Sequence, residues 1–179
     1  SEQFRTLDGY LSHAQGVMIF PRVVKAAMIL GGEGGNGVLL ARDEHGSWSA
    51  PAFYGLGGGS AGFQLGYQEA SILLVFMTRS ALLSAINRGL TLGADASIAA
   101  GTLGDAGAAS STRTGKDIYA FVDVGGVFAG ISLDGTVVAA REKLNESYYG
   151  PGANTYAIVI ERRFESPATA RLRAALSGG

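Results

Sequence analysis

The sequence contains no cysteine and only two histidines among its 179 residues. Without cysteine the chain can form no disulfide, hold no zinc through thiolates and use no cysteine nucleophile. The histidines, His13 and His45, fall on a predicted helix and in a predicted turn. Neither lies near a nucleophile motif, so we interpret both as solvated surface residues. The sequence therefore predicts no catalytic site, no metal site and no cofactor.

Charged residues and long apolar runs are also scarce. Lys, Arg, Asp and Glu make up 16% of the chain and the net charge is -1, so the bulk charge does not favour a nucleic-acid partner. The sequence has no run of about 18 apolar residues, so no segment is predicted to span a membrane. Apolar residues make up 47% of the chain, which at this length predicts a single domain over 1–179 with its own core.

Glycine is abundant, with 28 residues, and it is concentrated in two blocks at 31–37 and 55–62. Both blocks fit the pattern G-x-G-x-x-G, which in a dinucleotide-binding loop is followed by a helix. Here a short apolar run follows the first block and strict alternation follows the second, and no lysine stands at either end to reach a phosphate. We therefore interpret both blocks as strands. We predict that Gly57, Gly59 and Gly62 line a strand against which another element packs closely.

Hydrophobic periodicity predicts an α+β fold with a mainly antiparallel, curved sheet, barrel- or sandwich-like, and peripheral helices. Helices are predicted at 2–15, 78–88, 141–149 and from 166 to near the C-terminus. Strands are predicted at 17–20, 23–30, 38–42, 48–54, 60–68, 71–77, 118–124, 127–133, 136–140 and 156–160. Asn36-Gly37 is predicted to turn strand 23–30 back onto 38–42, and Asp134-Gly135 to turn strand 127–133 back onto 136–140.

One acidic residue stands apart from the others. Asp95 lies in a stretch of small, mostly apolar residues at 92–97, so we expect it to be buried. A buried carboxylate must be hydrogen-bonded, and we interpret Asp95 as a structural residue that binds neighbouring backbone N–H groups. A catalytic or ligand-contacting role is the alternative.

The order of several segments is more specific than any single motif. These segments are FPRVVKA at 20–26, GGEGGNGVLL at 31–40, WSAPAF at 48–53, GGGSAGFQLG at 57–66, LGADASIAAG at 92–101, GVFAGISLDG at 126–135 and YYG at 148–150. Together they resemble the SYLF domain family over roughly the first 150 residues. One departure is Ala27-Met28, where the family more often has glycine and an aromatic residue.

The resemblance implies a lipid-binding module. SYLF domains of eukaryotes bind phosphoinositides at membranes, and some that are joined to SH3 domains work with actin. This chain resembles the stand-alone, bacterial-type members, which often carry a secretion or lipoprotein signal. The resemblance implies binding to lipid but does not identify the lipid, and phosphoinositide specificity is not carried over.

Members of the family bind lipid through basic residues and an amphipathic N-terminal segment. In this chain the charged positions within the matched motif are Arg22 and Lys25. Arg5 lies on the polar side of the first helix, whose apolar stripe includes Phe4, Leu7 and Leu11. The alternative is that the helix packs on its own sheet and that Lys25 only protects a strand edge against aggregation. A second basic cluster lies outside the matched blocks, at Arg162, Arg163, Arg171 and Arg173.

These observations lead to two functional hypotheses from different classes. The first is a non-catalytic, peripheral module that recognises the anionic headgroups of phospholipids. The alternative is an envelope scaffolding protein that binds protein partners, as yet unknown, through its sheet. We expect a periplasmic or membrane-associated protein after removal of an N-terminal signal, with the cytoplasm as the alternative location.

Overall fold

The structure is a computed structural model, and it describes residues 2–24, 33–58, 69–101, 115–125, 127–129 and 133–177. Five helices are present in these ranges. They are α1 (Glu2–His13), α2 (Arg79–Arg88), α3 (Glu142–Tyr149), α4 (Thr155–Val159) and α5 (Thr169–Leu176). The same ranges hold nine strands. They are β1 (Gly16–Val24), β2 (Glu33–Ala41), β3 (Ala52–Gly58), β4 (Glu69–Phe76), β5 (Leu90–Thr91), β6 (Ile98–Ala100), β7 (Ile118–Val124), β8 (Val127–Ala129) and β9 (Val137–Ala140).

The strands form a single sheet in the order β5-β9-β3-β2-β1-β4-β7-β6, and β8 pairs with β7. All strand pairs among the described residues are antiparallel except β6 with β7. The sheet is curled into a half-barrel with the helices around it. The predicted α+β class with a mainly antiparallel, curved sheet is therefore confirmed.

Alternate residues of the central strands point to opposite sides of the sheet. Residues on both sides are buried, in two separate cores. In β1, Met18 belongs to a large core that also contains Leu82 of α2 and Ile158 of α4. Its neighbour Val17 belongs to a second core that also contains Tyr10 of α1. The sheet is thus covered by α2 and α4 on one face and by α1 on the other.

Helix α2 has the bounds and the buried face that its sequence predicts. The hydroxyl of Thr78 accepts a hydrogen bond from the backbone N–H of Ala81, as an N-cap residue does. Gly89 ends the helix with a φ of 76°, which few other residues tolerate. The four residues of its inner face are all buried. They are Ala81, Leu82, Ala85 and Ile86.

The predicted turn at Asn36-Gly37 is wrong, since both residues lie inside β2. Asn36 is opposite Arg22 of β1, and β1 continues through Pro21 with a register shift instead of ending there. A shift of this kind is a β-bulge, one of the few places where a sheet accepts proline. A Cβ atom at Gly37 would overlap the carbonyl oxygen of Ile19 and lie 2.6 Å from the Cδ1 atom of Phe20. The glycine that the sequence pattern assigned to a turn is needed for close strand contact.

The predicted pairing across Asp134-Gly135 is also wrong, although a turn is present at that position. Strand β9 pairs with β3 and β5, whereas β8 pairs with β7. The turn is instead held by Leu92, whose carbonyl accepts a hydrogen bond from the N–H of Gly135 at 2.8 Å. Strand β9 thus pairs with strands that are distant in the sequence and not with β8.

Two further differences concern the C-terminal part. The segment predicted as a strand at 156–160 forms helix α4, because the side chain of Asn154 caps it by accepting the N–H of Ala157 at 2.8 Å. The last helix begins at Thr169 and not next to Ser166, whose hydroxyl accepts the N–H of Ala168. The predicted strand 60–68 lies outside the described residues.

Candidate functional site

A cleft of about 880 Å³ lies where β1 begins and β2 ends. It is bordered by the C-terminus of α1, the turn after β2, the first residue of α2 and the segment that leaves α4. We call it the arginine cleft, because three of its side chains are arginines from separate parts of the chain. The polar side chains along it that carry no negative charge are Ser12, His13, Gln15, Arg42, Arg79 and Arg162.

Arg42 is half-buried and fixed by three backbone carbonyls. Its Nη1 atom donates to the carbonyls of Leu11 and Ser12, at 3.1 and 2.7 Å, and its Nε atom donates to that of Gly46 at 3.3 Å. The guanidinium also lies 5.6 Å from the centre of the Trp48 ring, within range of a cation–π contact. Arg42 therefore satisfies carbonyls at the end of α1, where a positive charge also complements the helix dipole.

Arg162 holds the turn after β2 from the opposite side. Its Nη2 atom donates to the carbonyl of Ser47 at 2.6 Å, and its Nη1 atom lies 3.4 Å from the Asp43 carboxylate. The backbone N–H of Ser47 contributes most to holding the pKa of Asp43 below its usual range; the Arg162 charge and the N–H of His45 add to this, while burial opposes it. The charge of Asp43 is thus balanced by Arg162 and by backbone N–H groups of its own turn. The backbone of Arg162 has a φ of 54°, which is uncommon for a residue other than glycine.

Arg79 differs from the other two arginines of the cleft. It is the first residue of α2 and its side chain is exposed. Within the described ranges no hydrogen bond or ion pair engages it. The remaining acidic residue of the cleft, Glu44, is also exposed, and it pairs with His45 at 3.7 Å.

Of the basic residues predicted to bind lipid, Arg22 lies away from the arginine cleft. Arg22 is exposed in β1, six residues beyond Gly16, which starts the strand near the cleft. At about 3.3 Å per residue this separation is roughly 20 Å. Lys25 lies outside the described residues. We call the described part of this opposite end of β1, Pro21–Val24, the distal end.

The apolar stripe of α1 packs onto the protein's own sheet. Leu11 is 8% exposed and belongs to the second core, and Leu7 packs against that core. Tyr10, between them, stacks on Tyr119 and Phe121 with ring centres 4.9 and 5.2 Å apart. Leu11 is therefore unavailable to a membrane while α1 is docked. Phe4 and Arg5 lie in α1, but their side chains are outside the described part.

Asp95 and Gly57 do not line the arginine cleft. Asp95 is exposed in a turn, not buried as expected, and its carboxylate accepts the backbone N–H of Thr91 at 2.7 Å. Gly57 lies in β3, opposite Gly34 of β2 and Val137 of β9. Gly59 and Gly62 lie outside the described residues.

A second surface feature is a row of aromatic rings that begins at Phe53 and continues over α3. Phe53 contacts Tyr148 with ring centres 5.3 Å apart, and Tyr148 contacts Tyr149 at 4.8 Å. Tyr148 is 50% exposed, and Leu144, one helical turn earlier, is 37% exposed. Beneath them Asn145 is fully buried, with its carbonyl oxygen accepting the N–H of Phe53 at 2.7 Å. This anchor fixes the exposed face of α3 that carries Leu144 and Tyr148, which we call the α3 face.

Sequence reasoning did not identify Arg42 or Arg79 as site residues. Arg42 follows a strand and Arg79 follows a capping threonine, and each looks like an ordinary surface residue on its own. Only the fold brings them together. In the described part of the chain no three residues among His, Asp and Glu are placed to bind a metal ion, and no helix is long and apolar enough to cross a membrane.

Comparisons with known proteins agree on one family. A family model described as "Ysc84: Las17-binding protein actin regulator" matches residues 57–178. Protein YSC84 of Saccharomyces cerevisiae is 33% identical over 162 residues, which cover 88% of this chain and 34% of that protein. LAS seventeen-binding protein 3 of the same species is 33% identical over 161 residues, or 88% of this chain and 35% of that protein.

A vertebrate relative shows similar identity. SH3 domain-containing YSC84-like protein 1 of Xenopus laevis is 34% identical over 143 residues, covering 78% of this chain and 42% of that protein. The chain therefore spans between about a third and less than half of the length of these relatives. What the comparisons describe is the domain that the relatives share with it.

Proposed function

The chain belongs to the Ysc84 family of SYLF domains, as its sequence resemblance predicts, and we propose that it is a non-catalytic, peripheral module that binds anionic phospholipid headgroups. The observation that carries this proposal is the exposed Arg22 at the distal end, three residues before Lys25. A bulged strand with an exposed cation is a fitting place for contact with a flat, charged surface, because the side chain is not directed into the core.

The expected binding is weak and reversible. Each basic residue near an anionic membrane contributes about 1 kcal/mol, so a small group of them gives no permanent attachment. The net charge of -1 means that the attraction must come from a local group of cations and not from the whole molecule. Since α1 is docked by Leu11 and Tyr10, the contact we propose is electrostatic and does not require this helix to insert.

Sedimentation with vesicles of phosphatidylcholine containing phosphatidylserine tests the proposal. We expect wild-type protein to bind at low salt and to be released as salt rises, because charges are screened over about 8 Å at physiological ionic strength. The double variant Arg22→Glu with Lys25→Glu should lose binding while its circular dichroism and melting temperature stay unchanged.

A matched control has the same change of charge elsewhere. Arg88 and Lys143 are exposed on α2 and α3, and Arg88→Glu with Lys143→Glu should bind like wild type. An equal loss of vesicle binding in both double variants would mean that the net charge of the protein, and not the position of Arg22 and Lys25, determines binding. Failure of wild-type protein to sediment with any anionic vesicle at low salt would refute headgroup binding.

Binding of protein partners is a second candidate function. It is favoured by the exposed Leu144 and Tyr148 of the α3 face. It is also favoured by the description of the family, which mentions Las17 binding and actin regulation, and by the name of the yeast relative LAS seventeen-binding protein 3. Sedimentation with filamentous actin tests this directly. Tyr148→Ser should weaken any binding, whereas Tyr156→Ser, which alters a tyrosine of similar exposure on α4, should not. No sedimentation of wild-type protein with filaments would exclude actin as the partner.

A further inference from the structure

We propose that the arginine cleft is a separate binding site for a phosphate group carried by a larger polar molecule, either a soluble organic phosphate or a lipid headgroup. This inference goes beyond the proposed function, because it concerns the opposite end of β1 from Arg22 and rests on different residues. Its success or failure is independent of whether Arg22 and Lys25 bind membranes.

The first observation is that the charge of Arg42 is not neutralised by any carboxylate in the described part of the chain. All three of its hydrogen bonds go to neutral carbonyls, those of Leu11, Ser12 and Gly46. The carbonyls at the end of α1 offset part of the charge of Arg42, and a bound anion would offset the remainder.

Arg42 also retains unused donors in a fixed position. A guanidinium has five N–H groups, and the three bonds to carbonyls use those on Nε and Nη1. Within the described ranges the two N–H groups on Nη2 have no acceptor. A Cβ atom at Gly46 would lie 3.3 Å from Nη2, so this nitrogen lies beside a residue that lines the cleft. Since the carbonyls and the Trp48 ring already hold the side chain, little conformational freedom remains to be lost on binding.

Arg79 supplies a second, movable cation on another border of the same cleft. Its exposed side chain has no partner in the described part, so it can close onto a ligand without breaking an existing contact. The acidic residues do not cancel this pair. Asp43 is matched by Arg162 and by two backbone N–H groups, and the Glu44 side chain is 88% exposed to solvent.

The arrangement fits phosphate better than a single carboxylate. A phosphate monoester presents three terminal oxygens and close to two negative charges, so it can accept from a fixed guanidinium and from a second cation at the same time. Gln15 and His13 add polar side chains along the same cleft. The volume of about 880 Å³ is in the range of small-molecule sites, roughly 300–1,000 Å³, and far exceeds one phosphate. We therefore expect the phosphate to be part of a larger molecule.

Calorimetric titration of the whole chain with glycerol 3-phosphate tests the inference, with uncharged glycerol as the ligand control. We expect saturable binding of the phosphate ester only. Arg79→Gln should weaken it about tenfold, which corresponds to about 1.4 kcal/mol. Arg88→Gln, the same change at the other end of α2, should bind as wild type does, and both variants should keep the wild-type melting temperature.

A spectroscopic measurement makes the test independent of any variant. On titration of wild-type protein with glycerol 3-phosphate, the amide resonances of Gln15, Arg42 and Gly46 should shift together, whereas that of Arg22 should not. Absence of saturable binding, equal weakening by Arg79→Gln and Arg88→Gln, or shifts confined to other residues would each overturn the inference.

Vesicles distinguish the two sources of phosphate. If the physiological ligand is a lipid headgroup, vesicles containing phosphatidic acid should displace glycerol 3-phosphate from wild-type protein and from the Arg22→Glu, Lys25→Glu variant. If the ligand is a soluble phosphate, those vesicles should leave its binding unchanged. Both results support a phosphate site in the cleft, and each assigns its ligand.

Discussion

Arginines lie near both ends of β1, but their surroundings differ. At the cleft end, Arg42 and Arg162 are tied to backbone carbonyls and keep a turn and a helix end in place. At the distal end, Arg22 is exposed directly after a bulge in β1. The comparison teaches that counting basic residues does not locate a binding surface. The exposure of each guanidinium and the backbone groups that hold it matter as well.

The largest effect is expected at Gly37 of β2, close to the bulge in β1. Gly37→Ala places a Cβ atom against the carbonyl oxygen of Ile19, a backbone atom that cannot move away easily. We expect a loss of about 3 kcal/mol in the free energy of unfolding, seen as a melting temperature lower by roughly 6–12 °C.

A glycine in the neighbouring strand provides the control for this change. The three atoms nearest to a Cβ atom at Gly55 would all belong to the Arg141 side chain, the closest being Cδ at 3.3 Å, and that exposed side chain can move. Gly55→Ala should therefore lower the free energy of unfolding much less than Gly37→Ala does. Equal melting temperatures for the two variants would show that β1 and β2 are not in close contact at the bulge.

The next effect distinguishes the two arginines that we propose to bind phosphate, since we expect Arg42 also to hold the fold together and Arg79 not to. Arg42→Met removes three hydrogen bonds to carbonyls and the contact with Trp48, and we expect it to lower the free energy of unfolding by about 2 kcal/mol. Arg79→Gln should change it by less than about 0.5 kcal/mol. Urea denaturation of both variants measures the difference. A destabilising Arg79→Gln would place this residue among the structural arginines.

A smaller, pH-dependent effect is expected where α2 begins, beside the arginine cleft. Burial disfavours the charge of Asp117, but hydrogen bonds from the N–H and hydroxyl of Ser97 and from the hydroxyl of Thr78 outweigh it and lower the pKa of this carboxyl. A lowered pKa in the folded state contributes stability above the unfolded value of about 3.8, and this contribution is lost as the pH falls below it.

Asp117→Asn should therefore destabilise the protein by about 1 kcal/mol at pH 7, and its difference from wild type should narrow below about pH 4. Chemical denaturation from pH 7 to pH 2.5 measures this dependence. Asp8→Asn, which removes an exposed carboxylate of α1, should show no such narrowing. A constant difference across the whole range would mean that the charge of Asp117 is not what stabilises this junction.

The smallest effect returns to the distal end. Arg22→Gln should alter the free energy of unfolding by less than about 0.5 kcal/mol, because the side chain is exposed. Thermal unfolding followed by circular dichroism is sufficient to measure it. A loss as large as that of Arg42→Met would erase the proposed difference between the two ends, since Arg22 would then also hold the fold together.

Local signals predicted α2 and α3 well, because a glycine that ends a helix is a signal that depends on few distant contacts. Thr78 and Gly89 mark α2 in the sequence, and Gly150 follows α3, which ends at Tyr149. The same reasoning failed for α4, where the apolar run around Ile158 suits a buried strand as well as a short helix. Asn154, its N-cap, was not recognised as one.

The sequence did not predict the strand partners or the arginine cleft. Asp134-Gly135 makes the predicted turn, but the register with Leu56 of β3 and Leu90 of β5 decides the neighbours of β9. The arginine cleft unites side chains at 42, 79 and 162, which no spacing rule connects.

By itself the sequence determined the class of fold, the family, the placement of the helices with clear caps and the glycine-rich character of the strands. Composition, periodicity and caps act over a few residues, and a run of family segments can be recognised without coordinates. The tertiary structure alone decided that Gly37 lets two strands approach closely, that α1 faces the sheet and that no carboxylate of the described residues pairs with Arg42 in the cleft. These properties depend on contacts between residues far apart in the chain, and such contacts are fixed only when the sheet has formed.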